Sequence, residues 1–495
     1  MTAQNPVKDF TTGYKTSDIQ ESGFELKEKI INANANENII INPGEYSINR
    51  VNISKNITLI GNGNPEEIIL NGEYKSSIFI ITNDSVHVTF KNITFINANT
   101  NEFGGAVSIE TGHVYVDNCY FINNTAGVNA GGISNYGNST HRGYLLVNNS
   151  FFMNNHADHD GGAITTCYAD SYIYNCVFIN NSAHRDGGAI RVSVSGYGNV
   201  EDCIFMFNHA DEWGGAYYSW SGESDIKRCI FMNNTAGTNG GAVMVSGNIN
   251  LEDSIITNNN GGETGGSFYI QQPMYNARTV INVHNNIITN NTSPYGQEIF
   301  IKWKDINNLF TKFDDNDWGA EDPNDSSIND PNNVTQRIKV SRTIKSDLFT
   351  RLNVNLLDKY RNLLGNFFSD ESFDNLKNQF ENTDSNHGNE KTKPKSDSEK
   401  LKQDKTNKNN FKSNTTKDNI NSKTEINSKV TQTNNSKDTM IGNSSSQGED
   451  KKAYELNKTG KSTIKQAVNP NIEYFIATIL IVLVLLAIGY KRNKR

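Results

Sequence analysis

The sequence of 495 residues lacks the motifs by which most enzyme classes are identified. It has no phosphate-binding glycine loop, no Cys/His set spaced for zinc and no nucleophile elbow. Its net charge is −8, and no concentrated basic surface is visible before residue 385. Because binding to nucleic acid phosphates requires such a surface, we exclude nucleic acid as a partner. No motif implies a cofactor.

Proline is scarce, with 9 in the chain, whereas asparagine, glycine, isoleucine and threonine are abundant. This mixture suits short strands joined by tight turns and not helical bundles. Residues 1–21 also lack the apolar region of a secretory signal peptide. Either the start is truncated or export follows another route.

A repeat of about 26 residues occupies residues 92–292. Each copy has an apolar anchor, usually a following Asn pair, and a glycine pair that begins nine residues after the anchor or, in one copy, ten. The anchors are Phe95, Phe121, Phe152, Phe178, Phe205, Phe231 and Ile256, and the glycine pairs begin at Gly104, Gly131, Gly161, Gly187, Gly214, Gly240 and Gly265. Ile288 is an eighth anchor without a glycine pair. Apolar residues at alternate positions on both sides of these signatures are typical of strands with one inward face.

Three short strands in such a repeat form one coil of a right-handed parallel β-helix, in which equivalent residues of successive coils stack about 4.8 Å apart. We therefore predict an all-β, right-handed parallel β-helix over residues 22–300. The Asn pairs are expected to form a ladder that satisfies the backbone of the turns. A second ladder, of buried thiols and small side chains, is expected at Cys119, Ser150, Cys176, Cys203, Cys229, Ser254 and Asn286. A disulfide between stacked cysteines remains an open alternative.

Both ends of the β-helix are expected to be covered. Ser22 and Glu25 have the spacing of a capping box, and the apolar pattern that follows predicts a helix over the first coil. Residues 301–382 are predicted to hold a C-terminal cap and a helical segment, although pairing of that segment with a partner helix is an alternative. The acidic stretch between Asp314 and Asp325 is expected to be a solvated loop and not a calcium site.

The last part of the chain has the organisation of a membrane anchor. Residues 383–470 are too polar to bury a core and are predicted to form a disordered stalk. In the anchor segment 471–495, residues 474–490 carry no charge and are predicted to span the membrane once, followed by the basic end Lys491–Arg495. The positive-inside rule places the C-terminus in the cytoplasm and everything before residue 471 outside the cell.

Two signatures carry a resemblance to known families. Gly161-Gly162-Ala163-Ile164 and Phe178-Ile179-Asn180-Asn181 resemble the repeats of chlamydial polymorphic membrane proteins and, more closely, those of adhesin-like surface proteins of methanogenic archaea. Asp315-Asn316-Asp317-Trp318-Gly319 is similar to a Trp-Gly element that often ends such arrays. The resemblance covers about residues 92–292. It implies a β-helix at the cell surface and brings no shared catalytic motif.

Reactive side chains concentrate in the turn before the glycine pair in three consecutive copies. Stacking is expected to align Asp158 with His184 and Asp211, His159 with Arg185 and Glu212, and Asp160 with Asp186 and Trp213. The candidate ligand-binding residues are His156, Asp158, His159, Asp160, His184, Arg185, Asp186, His209, Asp211, Glu212 and Trp213. Such a cluster is suited to a divalent metal or an anionic glycan, or to a carboxylate pair for glycoside cleavage. A solvated turn with mutually satisfied charges is the alternative.

We predict from these features a membrane-anchored, adhesin-like surface protein that binds glycans or surface partners. The alternative is a polysaccharide lyase or glycoside hydrolase of the β-helix class, for which no catalytic residue is assigned. Aromatic residues after the glycine pairs are expected either to stack on sugar rings or to fill the core. They are Tyr168, Tyr197, Tyr217, Tyr218 and Trp220.

Overall fold

The structure is a computed structural model. It describes residues 22–273, 279–303, 309–313, 315–318, 328–329 and 355–361. Within these residues almost every regular element is a strand, and the strands pair in parallel. The chain is a parallel β-solenoid of about ten turns. Its right-handed sense stays an expectation from the chirality of parallel connections.

The strands of the coils form three sheets. The anchor sheet has ten strands that hold the repeat anchors: Gly44–Ser47, Ile68–Asn71, Thr94–Ile96, Tyr120–Ile122, Phe151–Met153, Val177–Ile179, Ile204–Met206, Ile230–Met232, Ile255–Thr257 and Ile287–Thr289. The turn sheet has seven two-residue strands: Asn99–Thr100, Thr125–Ala126, His156–Ala157, Ser182–Ala183, His209–Ala210, Thr235–Ala236 and Asn260–Gly261.

The third and largest sheet holds the strands that follow the glycine pair and those that lead to the next anchor. Its twenty strands are Glu37–Ile41, Val51–Ile53, Ile57–Gly61, Phe79–Ile81, His87–Lys91, Val107–Ile109, His113–Asp117, Ile133–Tyr136, Gly143–Asn148, Ile164–Cys167, Ala169–Tyr174, Ile190–Ser193, Tyr197–Glu201, Tyr217–Lys227, Val243–Glu252, Phe268–Gln271, Thr279–His284, Ile299–Lys302, Leu309–Lys312 and Ile328–Asn329. The helical elements are α1 (Gly23–Asn32), a 3₁₀ turn (Pro65–Glu67) and α2 (Asn355–Lys359).

The anchors form a continuous column through the core. From Phe95 to Phe231 all six phenylalanine rings stack in parallel, with centroids 4.6 to 4.8 Å apart and interplanar angles of 2 to 9°. This distance matches the spacing of neighbouring strands. The column extends backwards through Leu70 and Tyr46, which pair in register with Phe95 and with each other. The array therefore begins two coils before its sequence signature becomes recognisable.

The abundance of asparagine follows from the two sharp bends that flank each anchor strand. The residues three before and two after the anchor have left-handed backbone conformations, as in Asn118 (φ 51°) and Asn123 (φ 57°) around Phe121. Asn and Asp tolerate this region better than other non-glycine residues. They fill these positions in most coils, with Phe207 and Arg228 as exceptions.

A buried asparagine ladder runs beside the anchors and confirms the predicted one. Asn181 donates from Nδ2 to Phe152 O at 3.1 Å and to Asn208 Oδ1 at 3.0 Å. Its own Oδ1 accepts from N and Nδ2 of Asn155, at 3.0 and 2.9 Å. The same bonds link Asn124, Asn155, Asn181, Asn208, Asn234, Asn259 and Asn291.

The asparagine ladder ends on a carboxyl group. Asn291 donates from Nδ2 to Glu298 Oε2 at 2.6 Å. Glu298 is buried, and burial raises the pKa of its carboxyl to about 7 although the bonds from Asn291 act in the opposite direction.

The predicted ladder of thiols and small side chains is also present. Cys119 donates from its backbone N to Ser150 Oγ at 3.1 Å, and Cys229 donates to Ser254 Oγ at 3.0 Å. None of the five cysteines forms a disulfide, which excludes that alternative in this structure. Burial raises the pKa of the Cys119 thiol to about 12, so it behaves as an inert core group.

Helix α1 closes the first coil as predicted. The Ser22 hydroxyl accepts from Glu25 N at 3.2 Å, and Glu25 Oε2 accepts from Ser22 N at 2.7 Å, which completes the capping box. Leu26 and Ile30 enter the core. Phe24, also part of the apolar pattern, is 71% exposed, because the short helix has only one face on the solenoid.

The described residues after the array differ from the expected solvated loop and end cap. Asn316 and Asp317 are buried, and Asn316 Oδ1 accepts from Asn286 N at 3.0 Å, so this stretch extends the ladder of small side chains. Helix α2 lies on the flank of the solenoid, where the Tyr360 ring packs 5.0 Å from the Phe151 ring and its hydroxyl donates to Asn149 O at 2.7 Å. The flank is preferred because the outward residues of the anchor sheet form an apolar strip.

Within the residues that the structure describes, no helix has the length and apolar character needed to cross a membrane. The predicted span at 474–490 and the predicted stalk at 383–470 lie outside those residues.

The structure corrects the alignment of the second repeat. The left-handed position before each post-glycine strand is occupied by Gly104, Gly161 and their equivalents, with φ between 65° and 69°. In the second copy this position is Ala130, at φ 63°, and not Gly131. The anchor-to-turn distance is therefore nine residues there too, and the apparent exception disappears.

Replacing Asn181 by Ala should lower the free energy of unfolding by about 2–4 kcal/mol, because buried backbone and amide groups of both neighbouring coils lose their partners. Denaturant titration followed by circular dichroism measures the change. Asn180→Gly is the matched control, since Asn180 is exposed at φ 53° and Gly accepts that conformation. An equal loss in both variants would contradict the ladder's role.

Replacing Ala130 by Gly should raise the free energy of unfolding by about 0.5–1 kcal/mol, because the left-handed conformation costs alanine more than the added chain entropy costs glycine. The same titration measures it. Ala126→Gly in the preceding strand should instead destabilise the protein by about 1 kcal/mol. A loss of stability in both variants would refute the assigned conformation.

Candidate functional site

The eleven candidate residues lie in three stacked turns, at 156–160, 182–186 and 209–213, which we call the turn ridge. The turn sheet pairs His156 with Ser182 and Ser182 with His209, so equivalent positions of the three turns are adjacent. Backbone bonds continue this register: Arg185 N donates to His159 O at 2.8 Å, and Glu212 N donates to Arg185 O at 3.0 Å. The turn ridge therefore has the columns that the sequence predicts.

The first group of the turn ridge contains three histidines and two aspartates. His184 Nδ1 lies 2.8 Å from Asp211 Oδ2, and His209 Nε2 lies 2.9 Å from Asp211 Oδ1. In the coil before, His156 Nε2 lies 3.3 Å from Asp158 Oδ1, and the His156 and His184 rings are 4.8 Å apart. These five side chains form one connected, solvent-facing cluster.

Burial and neighbouring groups shift the pKa values of two side chains in this cluster. Burial, followed by the neighbouring His184, lowers the pKa of His156 and favours its neutral form. Burial acts to raise the pKa of Asp211, but hydrogen bonds from His184 and His209 outweigh it and hold that pKa below its usual range.

The second group is a buried ion network around Asp160. Arg185 binds this carboxylate with two bonds, Nε to Oδ1 at 3.1 Å and Nη2 to Oδ2 at 2.7 Å. Arg191, on the strand after the next glycine pair, reaches Asp160 Oδ2 with Nη1 at 3.0 Å. Asp160 and Arg191 are almost fully buried, whereas the Arg185 side chain remains 48% exposed.

Asp186 has the most perturbed carboxyl of the turn ridge. Burial, and then the charge of Asp160, raise its pKa to about 7 against the opposing effect of Arg191 and Arg185. Its Oδ1 and the Nε of Arg191 are buried atoms without a hydrogen-bond partner among the described residues. Asp186 is therefore a group that can gain or lose a proton near neutral pH.

Not every candidate joins these two groups. The side chains of His159 and Glu212 are exposed, and the backbone of each residue forms a hydrogen bond with Arg185 in the neighbouring turn. Trp213 is half-buried and packs 6.1 Å from the Tyr218 ring. Of the aromatic residues considered for sugar stacking, Tyr217 and Tyr218 are buried, so filling the interior is their role.

Several orienting residues escape sequence analysis. Ser182 Oγ lies 2.8 Å from His156 Nδ1, and Thr235 Oγ1 lies 2.7 Å from His209 Nδ1. Asn129 accepts at Oδ1 from Asp160 N at 3.0 Å and donates from Nδ2 to Tyr136 OH at 2.6 Å. Ser182 and Thr235 could have been found by aligning the repeats, because each occupies the position equivalent to a histidine of the preceding coil.

A separate groove of about 410 Å³ lies where the longer loops leave the large sheet. Arg142 and Pro273 border it, and Gly196, Gly222 and Gly247 are among its lining residues. The Arg142 guanidinium is paired with Asp170. Because this lining is mainly small and neutral, the turn ridge remains the place where reactive groups converge.

Replacing Asp186 by Asn should stabilise the protein at neutral and higher pH. The folded-state pKa of about 7 lies above the ordinary aspartate value, so the contribution of Asp186 to stability is full below about pH 4 and is lost as the pH rises to about 7. The gain of the Asn variant should grow over this window, on the order of a few kcal/mol, and then stay constant. Denaturant midpoints between pH 4 and 9 measure it.

Glu212→Gln removes one negative charge from the adjacent exposed column and is the control for this series. A gain in Asp186→Asn that is the same at all pH values, or a loss at pH 8, would contradict the assignment of a buried, protonatable carboxyl.

Comparison with known proteins supports the repeat type. Residues 175–193 and 228–246 match the family model of the Chlamydia polymorphic membrane protein repeat. Each segment runs from just before an anchor to the strand after the glycine pair. This confirms the predicted repeat, whereas the likeness to archaeal adhesins stays a prediction. No curated protein matches the chain in sequence.

Solved structures with similar coordinates include polysaccharide lyases. A PL6 alginate lyase complex with trisaccharide is 12% identical, with 66% of this chain and 84% of that chain covered and a TM-score of 0.30. A mannuronic acid specific family 6 lyase from human gut microbiota is 9% identical, with 73% and 99% covered and a TM-score of 0.38. An alginate lyase in complex with G6 is 13% identical, with 67% and 88% covered and a TM-score of 0.33. At these scores we draw no functional argument from them. This chain is a parallel β-solenoid, and two segments of its repeat array are similar to the Chlamydia polymorphic membrane protein repeat.

Proposed function

We propose that this protein is a cell-surface binding protein, adhesin-like in organisation, that uses the turn ridge to hold anionic glycans or acidic groups of surface partners. The repeat match favours a cell-surface or membrane-associated protein. The predicted stalk at 383–470 and anchor at 474–490 fit the same role, with the solenoid outside the cell.

The observation that carries the proposal is that one backbone scaffold bears different side chains in neighbouring coils. The turn sheet continues in register from Thr125 through His209 to Thr235. The turns before and after the turn ridge carry Gly127-Val128-Asn129-Ala130 and Gly237-Thr238-Asn239 instead of charged residues. The turn sheet forms in neighbouring coils without these charged residues. A binding role therefore accounts for the concentration of charge in the turn ridge.

Arg185 is the best placed group for an anionic ligand. Its two bonds to Asp160 fix the guanidinium and use two of its five N–H donors, and the side chain is still 48% exposed. A guanidinium that is fixed before binding loses little entropy when it takes a carboxylate or sulfate. Glycans with such groups are therefore the class that the turn ridge suits best.

The enzymatic alternative rests on Asp186. A carboxyl that titrates near neutral pH beside Arg191 has the properties of a general base for a polysaccharide lyase, or of a general acid for a hydrolase. Burial of Asp186 argues against direct contact with a polysaccharide. Binding without turnover is therefore the function that we propose.

Replacing Arg185 by Gln should weaken binding of the full-length protein to a carboxylated or sulfated glycan by about ten- to a hundredfold, because a charge-assisted bond contributes about 1.5–3 kcal/mol. A glycan array identifies the ligand, and titration of that glycan measures the affinity. Arg228→Gln is the matched control, because Arg228 is a surface arginine that also binds one aspartate, Asp202, with two bonds.

The same glycans are incubated with the protein and assayed for new reducing ends and unsaturated sugars. If the protein cleaves a glycan and Asp186→Ala abolishes the cleavage, the protein is an enzyme and the proposed binding function is wrong. An equal loss of affinity in Arg185→Gln and Arg228→Gln would refute the turn ridge as the binding site.

A further inference from the structure

The first group of the turn ridge has the geometry of a metal site. One ligand atom each from His156, Asp158 and His184 lies within 4.8 Å of the other two. His156 Nε2 and Asp158 Oδ1 are already 3.3 Å apart. Two ligands of a tetrahedral zinc ion with bonds near 2.0–2.1 Å are separated by about 3.3 Å. This pair therefore needs no rearrangement, and only the exposed His184 ring has to move closer.

Both histidines are oriented by a hydrogen bond at Nδ1, which leaves Nε2 as the atom available to a metal. His156 Nδ1 lies 2.8 Å from Ser182 Oγ, which leaves Nε2 on the side of Asp158. His184 Nδ1 lies 2.8 Å from Asp211 Oδ2, and His209 holds the other oxygen of Asp211 at 2.9 Å. A carboxylate bound to the second nitrogen of a ligating histidine is the usual supporting contact in metal sites.

We propose that His156, Asp158 and His184 bind a divalent first-row transition metal, zinc being the best fit, with Asp211 as the supporting carboxylate. Two imidazoles and one carboxylate favour zinc, nickel, copper or iron over calcium and magnesium, which prefer sets of oxygen ligands. Three protein ligands on an exposed surface leave at least one coordination position for water or for an acidic group of a ligand. The proposal stands independently of the proposed function, because metal binding is measured without a glycan.

The test uses the full-length protein after removal of metals with a chelator. Zinc chloride is titrated against the protein and a chromophoric zinc indicator, and cobalt substitution is followed by visible absorption. We expect one zinc ion per chain, no displacement by millimolar calcium and a cobalt spectrum typical of nitrogen and oxygen ligands. His156→Ala and His184→Ala should each weaken binding at least about tenfold, and Asp211→Asn by about ten- to a hundredfold.

His113→Ala is the matched control, because the His87 and His113 rings stack 4.6 Å apart and form a close histidine pair outside the turn ridge. Zinc affinity should be unchanged in this variant. Loss of binding in His113→Ala with retention in His184→Ala would overturn the proposal, as would the absence of stoichiometric binding. His184→Gln, which keeps a polar side chain of similar length, distinguishes loss of the ligand from loss of the fold, and circular dichroism of each variant verifies that fold.

Discussion

The structure depends on the spacing between parallel strands. Each coil lies one strand distance from the next, so every side chain meets its own equivalent above and below. A position can be repeated only if its side chain is compatible with copies of itself. Asparagine meets this condition because its amide donates to the next amide oxygen while it also satisfies a carbonyl of the preceding coil. Phenylalanine meets it by parallel stacking, and cysteine by its small, weakly polar thiol.

The same constraint governs the charged turns. Identical charges in one column repel each other, and the turn ridge reduces this repulsion by mixing signs. Asp158, His184 and Asp211 alternate along their column, and Asp160 is neutralised by arginines from two other positions. The exception is Asp186, which follows Asp160 in the same column without a compensating residue of its own. Burial is the main cause of its raised pKa, and the like charge of Asp160 adds to it.

Much of the fold was predictable because the copies of the repeat can be aligned with one another, and each aligned position then shows whether its residues are compatible with stacking. A column that reads Cys, Ser, Cys, Cys, Cys, Ser and Asn makes sense only if coils stack. The first two coils carry Tyr46 and Leu70 as anchors but no glycine pair, so pattern matching could not assign them. Ala130 misled the alignment because a rare left-handed alanine precedes two glycines, and the glycines are the stronger signal. The burial of Asp317 was missed because charge favours exposure in the absence of a known partner strand.

The sequence by itself determined the solenoid, the register of the turn ridge, the anchor column and the two ladders, because periodicity encodes which residues become neighbours along the axis. Only the tertiary structure divided the candidate residues into an exposed histidine and aspartate group and a buried arginine and aspartate network. It also supplied Ser182, Asn129 and Tyr136 as partners and placed α2 on the flank. The physical reason is that stacking fixes positions along the axis, whereas the direction of each side chain depends on the bends of the coil and on neighbours across it.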